Sequence, residues 1–450
     1  MAEKLKVVVI GSGAAGLSCA RTLGRAGHEV TMVERDRLGG TCMWRGCIPK
    51  KSLFHTGEVM RTVAGAEQFG VLTQGAHVDW QGALAWKWHV QETYAGDQRG
   101  LAEAAGVRVI EADARFAAED AVEVAGERIA FDHAVIATGS HAVRPPILGA
   151  QLADTSDDAL RYPELPSSLI IVGGGFIAME MAGIFASLGT TVTVLVRDER
   201  PLEMLDDELA RIATHGLESL GARVVTSTTV TAITSEAGGL RVAVTDGAGH
   251  VGALSAERVL LATGRVPTLE DLGLDAAAVA VDQGGRLVLD EYSRTTNPRV
   301  WAVGDAAGGM MQTPVASLEG RAVAASIDSG SPVHADCRNV PVTCFTVPPV
   351  ATVGLSEAAA QAKGIDAHVH RVGFDELGQA VVEAETGGVF KLITAAESDV
   401  VIGAQCAGPA AADMIYAAAV AMIGGVTAPQ LVRLVAVHPS YAEAMHYAGW

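Results

Sequence analysis

The sequence predicts an α/β fold with two similar parallel-sheet units and a separate α+β unit at the C-terminal end. β-branched runs alternate with Ala- and Leu-rich stretches along the 450 residues, a pattern typical of parallel sheets with crossover helices. Residues 6–35 and 169–197 repeat one another, each in the order strand, glycine turn, helix, strand. The segment from residue 334 onward mixes strand-like runs with an Ala-rich helix and has no such turn.

The domain boundaries follow from linkers and from the ends of the two repeats. Each repeat is followed by a strand-like run that ends in Ala-Thr-Gly, at residues 135–139 and 260–264. Proline-rich stretches at 144–146 and 163–166 mark a linker. We therefore predict a first domain of residues 1–145 and 267–333, a second of residues 146–266 and a third of residues 334–450.

Composition and charge exclude several classes of function. The chain carries 33 Lys and Arg against 52 Asp and Glu, a net charge of −19, so binding to nucleic acid or to an anionic membrane is disfavoured. No clean apolar span of roughly 18 residues is present, and the N-terminal residues enter a predicted strand without an apolar leader. Because six cysteines are too few for a disulfide scaffold, we expect a cytoplasmic protein.

The first repeat contains a Gly-x-Gly-x-x-Gly pattern directly after a predicted strand. Gly11 permits a tight turn, Gly13 lets the backbone approach a pyrophosphate, and Gly16 lets the helix pack on the strand. The N-terminus of that helix offers free N–H groups and a positive dipole end to phosphates. Glu34 ends the next strand, at the spacing where a carboxylate accepts ribose hydroxyls. The pattern predicts a Rossmann-like dinucleotide-binding domain.

The second repeat has Gly173, Gly175 and Ala178 at the same three positions, but Arg197 ends its second strand and Arg200 lies close behind. A guanidinium pairs with a 2′-phosphate, whereas a carboxylate repels it, so NADPH is favoured and NADH stays possible. Two solvated loop arginines are the alternative interpretation. One site with an acid and one with a base predict two cofactors, FAD in the first domain and NAD(P)H in the second.

Cys42 and Cys47 lie a few residues beyond the first ribose acid. A zinc site is disfavoured because no second Cys or His pair lies at ligand spacing, and we expect no metal. A helix is predicted to begin near Cys47, where its dipole and the charges of Lys50 and Lys51 lower a thiol pKa. A redox-active disulfide is therefore favoured over a buried structural pair. The other four cysteines are expected to be buried thiols.

Four stretches resemble motifs of the flavin-dependent disulfide reductases, the family of glutathione reductase and dihydrolipoamide dehydrogenase. They are GGTCMWRGCIPKK at 39–51, VGGGFIAMEMAGIFASLG at 172–189, VWAVGDAAGGMMQTPVASLEGRAVA at 300–324 and HPSYAE at 438–443. The resemblance covers the whole chain. It implies that the first domain binds FAD, the second binds NAD(P), and the third is a dimerisation domain.

The glycine loops and the resemblance together imply the cofactor contacts. The residues expected to contact FAD are Gly11, Gly13, Gly16, Glu34, Gly40, Thr41, Lys50, Lys51, Thr138, Gly139, Asp305 and Thr313. The residues expected to contact the nicotinamide nucleotide are Gly173, Gly175, Phe176, Ile177, Ala178, Glu180, Arg197, Arg200, Gly264 and Arg265.

The resemblance also implies two catalytic pairs near the flavin. Cys47 is expected to face the flavin, and Cys42 is expected to attack the substrate disulfide. Glu180 is expected to pair with a lysine that matches Lys50 or Lys51, close to flavin N5.

The last motif implies that the active unit is a homodimer. A lone histidine near the end of a chain is more often a surface or core residue, but the spacing in HPSYAE matches the family motif. By that match His438, oriented by Glu443, acts as acid and base toward the thiols of the partner chain. Each dimer then holds two shared sites. Phe176 stands where the family often has a gating tyrosine.

The expected substrate is a low-molecular-weight disulfide resembling glutathione disulfide. The CIPKK sequence is similar to that of glutathione reductases, whereas lipoamide dehydrogenases usually have CIPSK, and Arg197 favours the same choice. Met43 and Trp44 depart from the Val-Asn that is commoner in the family. A NAD-dependent dihydrolipoamide dehydrogenase is the alternative, and a non-catalytic flavoprotein redox sensor is a more distant one. Trp86 and Trp88 are expected in the core, and the lining of a substrate cleft is the alternative.

Overall fold

A computed structural model describes residues 4–449 of the chain. The predicted α/β class is confirmed, and the chain forms two compact units. The first unit comprises the chain up to Ser52, Gly82–Val143 and Gly264–Cys337. The second comprises Leu53–Gln81, Arg144–Thr263 and the chain from Arg338 onward. The three-domain boundaries given above stay a prediction.

Short strands make up the sheets. In chain order they are β1 (Lys6–Ile10), β2 (Glu29–Glu34), β3 (Val107–Glu111), β4 (Ala114–Ala118), β5 (Ala121–Val124), β6 (Glu127–Ala130), β7 (His133–Ile136), β8 (Ser140–Ala142), β9 (Ser168–Val172), β10 (Thr191–Leu195), β11 (Arg223–Val225), β12 (Thr228–Glu236), β13 (Gly239–Asp246), β14 (Val251–Ala256), β15 (Arg258–Leu261), β16 (Arg265–Pro267), β17 (Val300–Ala302), β18 (Val342–Cys344), β19 (Val350–Gly354), β20 (Ala367–Gly373), β21 (Val389–Ala395) and β22 (Val401–Ala407).

Helices alternate with these strands. In chain order they are α1 (Ala14–Arg25), α2 (Gly40–Trp44), α3 (Cys47–Ala64), α4 (Trp80–Ala95), α5 (Gln98–Glu103), α6 (Ser156–Ala159), α7 (Phe176–Ser187), α8 (Asp207–Ser219), α9 (Thr313–Ser329), α10 (Glu357–Ala362), α11 (Gly378–Glu383), α12 (Ala411–Ile423), α13 (Ala428–Arg433) and α14 (Glu443–Tyr447). Single 3₁₀ turns lie at Ala66–Phe69, Ala150–Leu152, Leu274–Ala277, Gly304–Ala307 and Phe374–Glu376.

The first unit is built on a parallel sheet of order β17-β7-β1-β2-β3. The apolar run Val7–Val9 is buried on both faces, which is typical of a central strand in a parallel sheet. Helix α1 packs closely on α9, because Gly320 allows its backbone to approach Ala15. An added Cβ at Gly320 would lie 2.3 Å from the carbonyl oxygen of Ala15. A small antiparallel sheet, β4-β5-β6, completes this unit's second core cluster.

The second unit holds a parallel sheet of order β11-β10-β9-β15 and an antiparallel sheet of order β12-β13-β14. Leu169, Ile170 and Ile171 are buried in the central strand β9. Helix α7 is buried along most of its length, as its apolar sequence requires. This sheet repeats the β1-α1-β2 arrangement of the first unit, as the sequence repeat predicts.

The C-terminal part of the second unit is an antiparallel sheet of order β18-β19-β22-β21-β20, which fits the predicted α+β segment. Helix α12 packs Met414 and Ile415 onto this sheet. The same helix exposes Tyr416, Val420 and Ile423. No helix within residues 4–449 combines the length and the apolar character that crossing a membrane requires.

Candidate active site

The first glycine loop joins β1 to α1 in the manner that the spacing predicts. Gly11 adopts φ 104°, and an added Cβ would lie 2.2 Å from the carbonyl oxygen of Ala137. Gly13 caps α1, and an added Cβ there would meet no atom within 4 Å. At Gly16 an added Cβ would lie 2.0 Å from the carbonyl oxygen of Gly11. Gly11 and Gly16 therefore close the turn, whereas Gly13 leaves its outer side open.

Glu34 is tied into this loop by Ser12, a residue that the sequence analysis did not single out. The Glu34 Oε2 atom accepts hydrogen bonds from the Ser12 backbone N at 2.8 Å and from Ser12 Oγ at 2.6 Å. Its Oε1 atom accepts one from the Asp36 backbone N at 2.9 Å. A carboxylate has about four lone-pair positions, so acceptor capacity is left for ribose hydroxyls. Gly40 lies against the same loop, since an added Cβ would be 2.8 Å from Gly13 Cα.

The strand ends opposite the first loop bring a second group of predicted residues together. Thr138 Oγ1 donates to the Thr268 carbonyl at 2.6 Å. Ser140 Oγ donates to Asp305 Oδ2 and in turn accepts from Arg265 Nε at 2.8 Å. Arg265 Nη2 also donates to the Ser140 carbonyl at 2.7 Å. Ser140, which follows the Ala-Thr-Gly run, thus links two predicted residues and was itself missed.

Two further predicted glycines flank this network. Gly139 adopts φ 73°, and its carbonyl accepts from the Thr268 backbone N at 2.9 Å. Gly264 adopts φ 124°, and its carbonyl accepts from the Val143 backbone N at 3.0 Å. In the first unit, therefore, Gly264 and Arg265 join the β8–β16 pairing. A contact of either residue with the nicotinamide nucleotide stays a prediction.

Cys42 lies in the short helix α2, and Cys47 is the first residue of α3, which begins there as predicted. The Cys47 Sγ atom is 3.3 Å from Thr313 Oγ1. Cys42 is hydrogen-bonded to Cys47 and also to the Thr313 hydroxyl. Thr313 is the first residue of α9, a helix that continues to Ser329 with a proline in its first turn. One hydroxyl at a helix N-terminus therefore adjoins both sulfurs.

The local contacts favour the neutral form of Cys42. The hydrogen bond with Cys47 is the largest cause that raises the pKa of the Cys42 thiol well above its ordinary value. Burial and the charge of Cys47 raise it further, whereas Thr313 and the Lys50 ammonium lower it. Because the thiolate is the reactive form of a cysteine, a base would assist Cys42 as a nucleophile.

The segment between the two cysteines is fixed by side chains of its own. Trp44 Nε1 donates to the Leu38 carbonyl at 2.8 Å, and the Arg37 guanidinium lies 4.9 Å from the Trp44 ring centre. Arg45 pairs with Asp36. Trp44 therefore anchors this segment to the chain before Cys42. Thr41 carries the carbonyl that accepts from the Arg45 backbone N, and Lys51 lies in the first turns of α3.

The second glycine loop repeats the first in its backbone. Gly173 adopts φ 135°, and an added Cβ would lie 2.3 Å from the Ala262 carbonyl oxygen. Gly175 caps α7, and an added Cβ would meet no atom within 4 Å. Ala178 is fully buried in the first turns of α7, whereas Ile177 is only partly buried. The turn and the open second position thus match those of the first loop.

The two predicted arginines of the second unit have different surroundings. Arg197 has a side chain that is 78% exposed and pairs with Asp198, with Nε 3.2 Å from Oδ1. The Arg200 guanidinium donates instead to the carbonyls of Leu202, Glu203 and Leu205 at 3.1–3.2 Å. Arg200 therefore holds its own loop, and Arg197 is the more accessible cation.

Glu180 is buried in α7 and held by the C-terminal sheet region of the same unit. Its Oε1 atom accepts from the Phe345 backbone N at 2.9 Å, and the residue is only 3% exposed. Phe176 begins α7, and its carbonyl accepts a weak bond from Cys344 Sγ at 3.9 Å. Glu180 and Lys50 lie in different units of the chain, and their pairing stays a prediction.

His438 and Glu443 form the predicted pair within the second unit. His438 Nδ1 is 2.9 Å from Glu443 Oε1. The hydrogen bond with His438 is the largest cause that holds the pKa of Glu443 below its ordinary value, and the Ser440 backbone N and the Tyr447 hydroxyl lower it as well. Because a carboxylate only accepts, Nδ1 carries the proton and Nε2 is left to exchange protons. The His438 side chain is 75% exposed, so Nε2 is accessible.

The tryptophan expectation is wrong for Trp86. Its side chain is 52% exposed and stacks on His89 with ring centres 5.3 Å apart, while Trp88 is half-buried. On α4 the buried positions include Lys87 and Gln91 instead. The exposed Trp86 and the buried Lys87 and Gln91 depart from the usual pattern of an amphipathic helix, whereas Trp80, Ala83 and Ala95 of the same helix follow it.

Both glycine loops fit a bound dinucleotide. In each, the first glycine closes the turn against a strand carbonyl, and the second leaves open space at a helix N-terminus. Backbone N–H groups at such a terminus, next to a position without a side chain, are suited to a pyrophosphate. A contact of the Glu34 carboxylate with a ribose in the first loop stays a prediction.

Comparisons with known proteins agree with this arrangement. A model of the pyridine nucleotide-disulphide oxidoreductase family matches residues 5–320, and a model of its dimerisation domain matches residues 340–448. Glutathione reductase of Burkholderia cepacia is 35% identical over 97% of this chain and 96% of that protein. Dihydrolipoyl dehydrogenase of Halobacterium salinarum is 35% identical over 97% of this chain and 94% of that protein.

Among solved structures, the HOCl-induced flavoprotein disulfide reductase RclA from Escherichia coli has a TM-score of 0.87 and 29% identity over 98% of each chain. These matches confirm the predicted family and fold, a flavoprotein oxidoreductase with a redox disulfide, FAD and a nicotinamide cofactor, and a dimerisation domain that supports a homodimer. The chain belongs to the pyridine nucleotide-disulphide oxidoreductase family.

Proposed function

We propose that the protein is an NADPH-dependent reductase of a low-molecular-weight disulfide of the glutathione kind. The observation that carries the proposal is the cysteine pair at the start of α3, where Cys42 and Cys47 are hydrogen-bonded to one another beside the Thr313 hydroxyl. Bound FAD supplies the two-electron relay between the nicotinamide nucleotide and this pair.

The chain's own residues supply the exchange chemistry. Cys42 gives up its proton and attacks one sulfur of the substrate disulfide, forming a mixed disulfide and releasing the first thiolate. Cys47 then attacks Cys42 Sγ, closes the protein disulfide and releases the second thiolate. The two thiolates take up two protons, so each turnover uses two electrons and two protons. The raised pKa of Cys42 favours the thiol, so a base assists the first step.

His438 is proposed as that base and as the acid for the departing thiol. Its Nδ1 is bonded to Glu443, which leaves Nε2 for proton exchange, and a group in this role contributes roughly 10²- to 10⁴-fold. In the proposed homodimer His438 acts on the cysteine pair of the partner chain, so both sites are shared.

We also infer a cytoplasmic location, because reduced buried cysteines such as Cys19 and Cys406 suit a reducing compartment.

The remaining predicted residues take binding roles in this proposal. The first-unit residues around Gly13, Glu34, Gly40, Thr138 and Asp305 hold FAD, and Gly175 and its neighbours on α7 hold the nicotinamide nucleotide. For the 2′-phosphate the proposal relies on Arg197, because the Arg200 guanidinium is occupied by backbone carbonyls. The domain boundaries at residues 145, 266 and 333 belong to the same proposal.

Replacement of Cys42 by Ser tests the proposal directly. We expect Cys42→Ser to lose disulfide reduction while NADPH still reduces the flavin, measured by bleaching of flavin absorbance in a stopped-flow experiment. Cys337→Ser is the matched control, because Cys337 is half-buried in the first unit, outside the proposed site. Loss of flavin reduction in Cys42→Ser, or retained disulfide turnover, would contradict the assigned role.

A NAD-dependent dihydrolipoamide dehydrogenase is the second candidate. Within residues 196–205, Arg197 is the accessible arginine, and it pairs with the Asp198 carboxylate. Because this negative charge opposes a 2′-phosphate, the pairing favours the NAD-dependent candidate. A dihydrolipoyl dehydrogenase also matches this chain at 35% identity. Steady-state rates with NADPH and NADH, each with glutathione disulfide and with lipoamide, separate the two candidates. A preference for NADH with lipoamide decides for the second.

A further inference from the structure

We propose that Gln91 is a positioning residue that holds the segment between Cys42 and Cys47 and thereby sets the redox potential of the pair. Gln91 lies on α4, far from the cysteines in sequence, and belongs to no motif of the chain. The inference deepens the proposed function, since it rests on Cys42 and Cys47 forming the working dithiol–disulfide couple.

Gln91 holds the backbone between the two cysteines through two hydrogen bonds, and we call this pair of bonds the clamp. Its side chain is fully buried, and its Nε2 atom donates to two consecutive carbonyls, of Met43 and of Trp44, each at 3.0 Å. Two donated bonds from one amide fix two successive peptide groups midway between the cysteines. The same segment is also held by the Trp44 indole N–H, which donates to the Leu38 carbonyl.

Packing alone does not explain a glutamine at this position. Within residues 4–449 the Gln91 Oε1 atom is buried and accepts no hydrogen bond. A buried acceptor without a donor is unfavourable, so an apolar side chain would serve the core better. The buried face of α4 also includes Ala83, Lys87 and Ala95, at the same helical spacing. The two hydrogen bonds from Gln91 Nε2 to the Met43 and Trp44 carbonyls offset the cost of the unpaired Oε1 atom.

The clamp affects the redox equilibrium because it limits the conformational entropy of the dithiol form. When the disulfide opens, the segment between the cysteines gains conformational freedom, and this freedom favours the dithiol. Gln91 restricts the backbone of that segment in the reduced form, where the Cys42 and Cys47 thiols still contact one another. A restricted dithiol re-forms its disulfide more readily, which makes the potential more negative. Removal of the two donated bonds therefore shifts the potential upward.

The test compares two glutamines on one helix. Gln91→Met keeps the length of the side chain and removes both donors. Gln81→Met is the control, because Gln81 also donates Nε2 to a backbone carbonyl, that of Pro163. The FAD-loaded proteins are equilibrated in dithiothreitol redox buffers, and alkylated Cys42 and Cys47 are counted by mass spectrometry. Thermal melting reports whether each variant is folded.

We expect the equilibrium constant for disulfide formation in Gln91→Met to fall about tenfold, a positive shift of about 30 mV for a two-electron couple. Gln81→Met should match the wild type. A folded Gln91→Met with the wild-type potential overturns the inference and leaves the proposed function intact. Cysteines that titrate separately in the wild type, without a shared two-electron step, overturn both.

Gln91→Glu keeps the test decisive if the methionine variant does not fold. A protonated carboxyl donates one hydrogen bond to the Met43 or Trp44 carbonyl, whereas the ionised form donates none. The potential of Gln91→Glu should therefore lie nearer to that of the wild type at pH 5 than at pH 8. A difference from the wild type that is equal at both pH values, or absent, refutes the clamp.

Discussion

Gly11 and Gly173 make the same turn in two different sheets, but the residues around them are held to different degrees. Both adopt positive φ, and at both an added Cβ would overlap a strand carbonyl, at 2.2 and 2.3 Å. The third position separates the loops. At Gly16 an added Cβ would lie 2.0 Å from the Gly11 carbonyl, whereas the second unit accommodates the methyl group of Ala178. The first helix thus approaches its turn more closely than the second.

The residues after the second strand differ even more. Glu34 is buried and bonded through its carboxylate to Ser12 inside the first loop. Arg197 is exposed and pairs with the adjacent Asp198. Under the proposed function, the same glycine pattern therefore serves two kinds of selectivity, one from a buried residue of the loop and one from an exposed residue. Substitutions in the two loops separate these two kinds of selectivity.

Gly11→Ala should have the largest effect. The new methyl group combines a strained positive φ with overlap of the Ala137 carbonyl, which together cost roughly 2–6 kcal/mol of free energy of unfolding. We expect the purified Gly11→Ala variant to lack flavin, measured by absorbance, and to have a strongly lowered melting temperature, measured by circular dichroism. Gly13→Ala is the matched control, because open space surrounds its Cβ. It should fold normally yet bind flavin at least about tenfold more weakly.

Gly175→Ala transfers the same test to the second loop. Here the flavin content should equal that of the wild type, because the first loop is unchanged. Reduction of the flavin by NADPH should require roughly tenfold or more nucleotide, since the methyl group occupies the space that a pyrophosphate approaches. Stopped-flow flavin reduction at varied NADPH concentration measures the change. Loss of flavin in this variant would show that the assignment of cofactors to the two loops is wrong.

Arg197→Ala should change coenzyme preference without changing folding. Loss of a charge-assisted contact to the 2′-phosphate costs about 1.5–3 kcal/mol, so KM for NADPH should rise roughly 10- to 100-fold while KM for NADH stays constant. Arg200→Ala should instead lower the melting temperature, because it removes donors to the Leu202 and Leu205 carbonyls. Equal effects of Arg197→Ala on both nucleotides would count against a phosphate site there.

Ala178→Gly should have the smallest effect. Glycine in a helix is less stable than alanine by about 1 kcal/mol, and the backbone already tolerates either residue. We expect an apparent melting temperature lower by about 2–4 °C and unchanged KM values. Gly16→Ala, its counterpart in the first loop, should be far more damaging, because its methyl group would overlap the Gly11 carbonyl. Similar damage from both substitutions would remove the packing difference between the loops.

Local chemistry explains what the sequence predicted well. Neighbouring residues determine three of these features, which are the turns at Gly11 and Gly173 and the start of α3 at Cys47. The residue types at these positions therefore indicate the backbone conformation directly. The repeat of two parallel sheets follows from the same short patterns. The contact of Thr313 with both cysteines was predicted only as proximity to the flavin, through the family resemblance.

Contacts between distant segments escaped the sequence analysis. Gln91 reaches Met43 across the fold, and no spacing rule connects the two. Trp86 was expected inside, yet Lys87 and Gln91 occupy the buried face of α4, so hydrophobicity indicated the wrong face. The capture of Arg200 by carbonyls depends on the path of its loop, which residue types alone do not specify.

The exposure of Arg197 has a consequence for how such proteins diverge. Its side chain is exposed, so it can be exchanged with little loss of stability, and under the proposed function the choice of nucleotide can change with it. Replacement of Glu34 should be less well tolerated, because its carboxylate accepts two hydrogen bonds from Ser12 inside the loop. Under the proposed function, related proteins should therefore retain FAD while their nicotinamide nucleotide differs.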